Sequence, residues 1–258
     1  MVMGQKFLFE LFKKILIALF FLCLWQLVVW VTGLKEFVLP SPIKTFERIL
    51  NPEIAANYDW AVHFTTTFLE IYLSFIITAV AGVGIAIWMV WSNTVREVLT
   101  PIFAVFNSLP KIALAPLFLI WFGYGLIPNI LIAAFMAFFP VVINTVVGLT
   151  ALDPELLELV GYLKASKAQV FAKIRIPNAV PFMFTGLRVS TTLCAVGAIV
   201  GEFVASRQGL GYLMKASRGM LDTPTMFACL ILISALGLSL FSLISFLERL
   251  VVPSRRSV

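Results

Sequence analysis

Residues 15–31 contain no charged side chain, and five further stretches of similar length carry two charges at most. A chain crosses the hydrocarbon of a bilayer in about 20 mostly apolar residues. Inside lipid every backbone N–H and C=O must find a partner within the protein, which leaves helices or closed barrels. Runs this long and unalternating predict helices. We expect six: 15–31, 67–91, 100–122, 128–149, 182–205 and 226–247. Only 12% of the residues are charged, against about 25% in soluble domains, too few to coat a soluble enzyme. The first run also begins after a lysine pair, as a signal peptide does. It is longer than a usual signal core, carries Trp25 and Trp30, and has no Ala-x-Ala site after it, so a retained anchor is expected.

Charge sets the expected orientation. One set of connecting segments holds Lys6, Lys13, Lys14, Arg96, Lys164, Lys167, Lys173, Arg175, Arg249, Arg255 and Arg256; the other holds Lys35, Lys44, Arg48, Arg207, Lys215 and Arg218. Cytoplasmic loops carry the excess of Lys and Arg, so both termini are expected in the cytoplasm. The net charge of +6 is read in the same way, and no nucleic acid is expected. One His and three scattered Cys offer neither a metal site nor a disulfide framework.

Small residues recur at four-residue spacing: Thr78, Gly82 and Ala86 in one span, Gly197, Gly201 and Ala205 in another. Such rows let helix backbones approach closely in lipid. Between the first two spans, Ser41 followed by Pro42 starts a short amphipathic helix that Asn51-Pro52 stops. Residues 150–177 form a longer cytoplasmic loop with two helix starts. Asp153-Pro154 is one; Ser166 with Gln169 is a capping box and the other. A turn is expected near Lys164-Ala165. Leu156, Leu159, Val160 and Leu163 form an apolar stripe, as do Val170, Phe171 and Ile174; either the helical bundle covers it or another protein does.

This loop resembles the EAA motif of ABC importer permeases. Glu158-Leu159-Val160 occupies the Glu-Ala-Ala block, Lys164 stands where the motif has Gly, and Ile174-x-Ile176-Pro177 matches its last block. Other segments are similar, in order along the chain, to the nitrate/sulfonate/taurine branch, which includes riboflavin and pyrimidine-precursor permeases. They include Leu39-Pro40-Ser41-Pro42, the stretch from Leu109-Pro110-Lys111 to Ala115-Pro116-Leu117, Trp121-Phe122-Gly123, Gly201-Glu202-Phe203, Gly209-Leu210-Gly211-Tyr212 and Leu221-Asp222-Thr223.

The resemblance implies an all-α membrane protein, a single permease domain over 1–258 with the type I ABC importer (MetI-like) fold. It implies as partners a dimer of ABC ATPase subunits, an extracytoplasmic solute-binding protein, a second permease copy (a homodimer) and membrane lipid. Glu155, Glu158, Lys164, Ala165, Ser166, Ile174 and Pro177 become the expected ATPase-coupling residues. The chain carries no phosphate-binding loop, so no cofactor is expected on it, ATP being bound by the partner, and no catalytic or metal residue. A Lys in the motif's Gly place costs about 1 kcal/mol if a left-handed residue is required; tolerance of that strain is the expectation.

Lys111 lies deep in the third expected span, between Pro110 and Pro116. An intramembrane charge is costly and often functional, and two prolines interrupt the helical ladder. Lys111, Pro110, Pro116 and Glu202 are the candidate translocation-path residues. The alternatives are a structural kink for the first three, and an Arg207 pair or a helix cap for Glu202. The expected function is ATP-driven import of a small solute: a sulfonate-, nitrate- or taurine-like anion, an aromatic acid, a pyrimidine precursor or a flavin. Two other classes are weighed: an ion-coupled carrier, which often shows repeated broken helices, and a membrane-embedded enzyme, which needs clustered catalytic groups.

Overall fold

Proline and glycine punctuate a chain that is otherwise helix. The computed structural model describes residues 2–252, with side chains for 12–13, 15–204 and 206–252; Arg255 and Arg256 of the charge count lie outside the described residues, as do the side chains of Lys6 and Lys14. The helices are α1 (Val2–Thr32), α2 (Pro42–Leu50), α3 (Pro52–Ala55), α4 (Trp60–Trp91), α5 (Asn93–Ser108), α6 (Ala115–Phe122), α7 (Leu126–Thr150), α8 (Pro154–Tyr162), α9 (Lys167–Val170), α10 (Ile176–Ala205), α11 (Leu210–Gly219) and α12 (Thr223–Val251). No strand occurs among the described residues. Five helices are long and apolar enough to cross a membrane, or six if α5 and α6 with its leading turn count as one broken span.

That broken span is the main departure from the expected 100–122 helix. The chain bends by 89° between α5 and the helical turn Lys111–Leu114 that leads into α6. Pro110 has no N–H for the ladder and pushes the residue before it out of the helical region; Leu109 is extended at φ −68°, ψ 141°. Pro116 sits in the first turn of α6, where a missing N–H costs nothing. Gly123 (φ 77°) ends α6. The fifth span also starts earlier than expected. α9 runs through a widened turn, Phe171–Arg175, into α10, with the Ile176 N–H donating five residues back to Phe171.

Packing divides the chain into two units. The first holds residues up to Ala61 together with Leu213–Ile231. Ser41 caps α2 by accepting from the Lys44 N–H, and Asn51 then caps α3. Asp222 accepts from the Tyr58 hydroxyl at 2.6 Å and the Thr225 hydroxyl at 2.6 Å, and pairs with Arg48 at 3.3 Å. The second unit holds Val62–Tyr212 and the residues from Leu232 on. Here α7 and α10 pack along their length. A Cβ on Gly197 would lie 2.5 Å from the Ala133 Cα, and one on Gly201 2.7 Å from Asn129 Oδ1. Gly82 of the other small-residue row faces Val141, and the Thr78 hydroxyl donates to the Ala134 carbonyl. Arg188 pairs with Glu248 at 3.2 Å.

Candidate functional site

The 150–177 loop is built by its own caps. Asp153 accepts from the Glu155 N–H at the start of α8. Ser166 and Gln169 close the reciprocal capping box at the start of α9. Between them the Lys164 N–H donates to Gly161 and the Ala165 N–H to Val160, the paired bonds of a Schellman ending. That ending needs a left-handed residue, and Lys164 supplies it at φ +51°. The turn is therefore the one a glycine would make, held by a lysine.

Long-range bonds fix this loop to the ends of two spanning helices. Arg175 donates to the Leu149 carbonyl at 2.8 Å; Asn178 donates to Gly148 and Ala151 at 3.0 and 2.9 Å. These serve carbonyls at the C-terminus of α7, which have no partner within the helix. Lys167 donates to the Trp91 carbonyl at the end of α4 and lies over its indole, while Phe171 packs edge-on to that ring. Val160 and Phe171 turn inward. Leu159, Tyr162 and Leu163 stay exposed, Tyr162 by 84%; Glu155, Glu158, Lys164, Ser166 and Pro177 are exposed beside them, and Ala165 and Ile174 are half-buried. The apolar stripe is thus split between the bundle and the outside.

At the break, Lys111 donates to Asn107 at 2.9 Å and its ammonium sits 4.8 Å from the Phe139 ring centre. Phe139 also lines an apolar groove of about 370 Å³ with Phe103, Phe106, Phe118 and Phe135. Pro110 and Pro116 are exposed there. Lys111 therefore keeps a polar partner and a ring face, and no carboxylate is among these contacts.

Glu202 lies at the other end of α10 and is fully buried. Three successive backbone N–H groups at the start of α11 meet three side chains: Gly209 donates to His63 Nδ1 at 3.0 Å, Leu210 to the Thr67 hydroxyl at 2.8 Å, and Gly211 to Glu202 Oε2. The Thr67 hydroxyl donates onward to Glu202 Oε1 at 2.5 Å. Gly209 is at φ +109°, and a Cβ there would overlap the Glu202 carboxyl. Glu202 is a helix cap here, and Arg207 is not among these partners. Glu70, one turn along α4 from Thr67, is buried against Glu202 and accepts from Asn129 Nδ2 at 2.8 Å. Glu70, Thr67 and Asn129 were not candidates from sequence: a polar side chain inside an apolar run marks itself, but not its partner on another helix. Among the described residues, no group of three or more His, Cys, Asp or Glu is placed to hold a metal ion.

Residues 78–253 match the family described as "Binding-protein-dependent transport system inner membrane component". The chain is 31% identical to the formylaminopyrimidine transport permease protein ThiX of Halalkalibacterium halodurans, over 93% of this chain and 95% of that one. It is 34% identical to the riboflavin transport system permease protein RibX of Chloroflexus aurantiacus, over 90% and 85%. Its fold is similar to a chain in the inward-facing MetNI methionine ABC transporter, with a TM-score of 0.62 over 73% of this chain and 94% of that one, at 18% identity.

Proposed function

The chain belongs to the family of binding-protein-dependent transport system inner membrane components, and from that premise we propose that it is driven by ATP hydrolysis on a separate subunit gripping the α8–α9 loop. As an ABC importer permease subunit it is a multi-pass protein of the bacterial inner membrane. Its further partners are an external solute-binding protein and a second copy of the chain, with both termini in the cytoplasm and ATP bound only by the partner.

The observation that carries this reading is the exposed apolar end of α8. Leu159, Tyr162 and Leu163 project from a loop whose two helices are capped at their starts and whose side chains bond to the ends of α4 and α7. A surface that is rigid, apolar and placed beyond the spanning helices suits a protein partner better than lipid. Because α9 continues into α10, movement of the loop moves a spanning helix. The test is a double change, Tyr162→Asp with Leu163→Asp. The membrane fold is retained, and co-purification of an ATPase from native membranes is lost. Full ATPase recovery with the double variant contradicts the reading.

The transported solute is a small molecule of the kind named for the relatives, a pyrimidine precursor or a flavin, or a sulfonate-, nitrate- or taurine-like anion or an aromatic acid. Lys111 favours a solute with negative charge: its ammonium is partly exposed at the break of a spanning segment, beside an aromatic groove. Lys111→Gln is expected to slow uptake of an anionic solute while leaving ATPase assembly intact. Unchanged uptake removes Lys111 from the path.

A further inference from the structure

Glu70 and Glu202 form a pair that neither the coupling loop nor the break uses, and its interpretation does not rest on the transport reading. Glu70 comes from α4 and Glu202 from the last turn of α10; both are fully buried and share their neighbours, since Glu70 accepts from the Asn129 side chain that packs against Gly201 beside Glu202, and Thr67, one turn from Glu70, donates to Glu202. Two ionised carboxylates in such a place repel each other and lose their hydration.

The surrounding donors are committed. Glu202 has the Thr67 hydroxyl and the Gly211 N–H, with the Tyr212 N–H also directed at it. Glu70 Oε1 has Asn129 Nδ2. Glu70 Oε2 and Asn129 Oδ1 are buried acceptors that receive no hydrogen bond, and a buried acceptor without a donor is costly. Acceptors outnumber donors, and one proton on the pair turns an acceptor into a donor.

The charged and titratable neighbours do not supply the missing positive charge. On α4, His63 uses Nδ1 as an acceptor for the Gly209 N–H. On α7 the facing group is the neutral Asn129. In the turn before α11, Arg207 lines a separate cavity of about 460 Å³ with Thr66 and Leu69. On α11, the Tyr212 ring lies beside His63. The Lys44–Glu36, Arg48–Asp222 and Arg188–Glu248 ion pairs involve neither carboxyl.

We propose that Glu70 and Glu202 together bind one proton, and that this proton holds the turn at residues 209–211 clamped against α4. The proton is taken from solvent and rests on one carboxyl while donating to the other. Its release returns it to solvent and leaves two negative charges in contact. They separate most readily where Glu202 is held by backbone N–H groups, at the start of α11.

The experiment uses the full chain in lipid nanodiscs. Infrared spectroscopy at neutral pH is expected to show the carbonyl band of a protonated carboxylic acid, absent from both Glu70→Gln and Glu202→Gln. Amide hydrogen exchange at 209–211 is then followed as pH rises. In the unaltered chain, exchange accelerates by about tenfold per pH unit beyond its intrinsic rise once the acid band fades, the linkage of one proton. Glu70→Gln carries a permanent donor in the same shape, so it keeps the amides protected across the same range. If Glu202→Gln fails to fold, Glu70→Gln alone carries the test. Absence of the acid band, its persistence in Glu70→Gln, or amide protection indifferent to its fading overturns the proposal. So does restoration of protection by sodium at fixed pH, which makes a metal cation the ligand.

Discussion

Lys164 holds a left-handed conformation at φ +51°, which costs a residue bearing a Cβ about 1 kcal/mol relative to glycine. The two Schellman bonds it completes are the return on that cost. Lys164→Gly is therefore expected to stabilise the loop by about 1 kcal/mol and to preserve ATPase association. Hydrogen exchange across α8 and α9 measures the first effect and co-purification the second; faster exchange in the variant contradicts the assignment of strain. Asp222 offers a pH readout in the other unit. Burial alone raises its pKa, but bonds from Thr225 and Tyr58 and the nearby Arg48 charge outweigh that and hold the carboxyl below its usual range. Burial and the bond to Asp222 push the Tyr58 phenol up. For a carboxyl depressed in the folded state, stability is present above its unfolded pKa and lost as pH falls through the folded value. Asp222→Asn is expected to flatten that acid limb and to cost about 2 kcal/mol at neutral pH, the scale of charge-assisted hydrogen bonds. Thermal unfolding in detergent, followed from neutral pH down through and below about pH 4, the ordinary aspartate range, checks both; an unchanged acid limb rules out Asp222 as its source.

Elements with local signals were legible, and those without were not. Ser41, Asp153 and the Ser166–Gln169 box each start the helix their spacing predicts, because cap and capped N–H lie within three residues. The start of α11 was only half legible: Glu202 was weighed as a helix cap, but His63 and Thr67, which accept from the other two N–H groups, lie far away in sequence. Pro110 announced a break and the extended Leu109 before it makes one, but the size of the bend, 89°, cannot be read from the two prolines. The Gly197 row announced close packing, though not that Ala133 of α7 is the surface it meets. Gly197→Leu is expected to force α7 and α10 apart and destabilise the bundle by about 1–3 kcal/mol. A cysteine pair at Ala133 and Ala198 read by cross-linking, with and without the substitution, tests it; unaltered cross-linking speaks against intimate packing at this point.

At the scale of the whole molecule, α10 is the element on which the account turns. Its N-terminal end is continuous with the α8–α9 loop, and its C-terminal end carries Glu202. If a motor outside the lipid grips this loop, the exposed Leu159, Tyr162 and Leu163 are its handle. The most direct measurement is ATP hydrolysis by the complex purified through a tag on this chain from native membranes. We expect the unaltered chain to bring down steady ATP hydrolysis and the Tyr162→Asp, Leu163→Asp chain to bring down none, although both are recovered folded in equal amount. Hydrolysis that is undiminished by the double substitution, or absent from the unaltered preparation while the isolated chain alone moves solute down an ion gradient, contradicts the account.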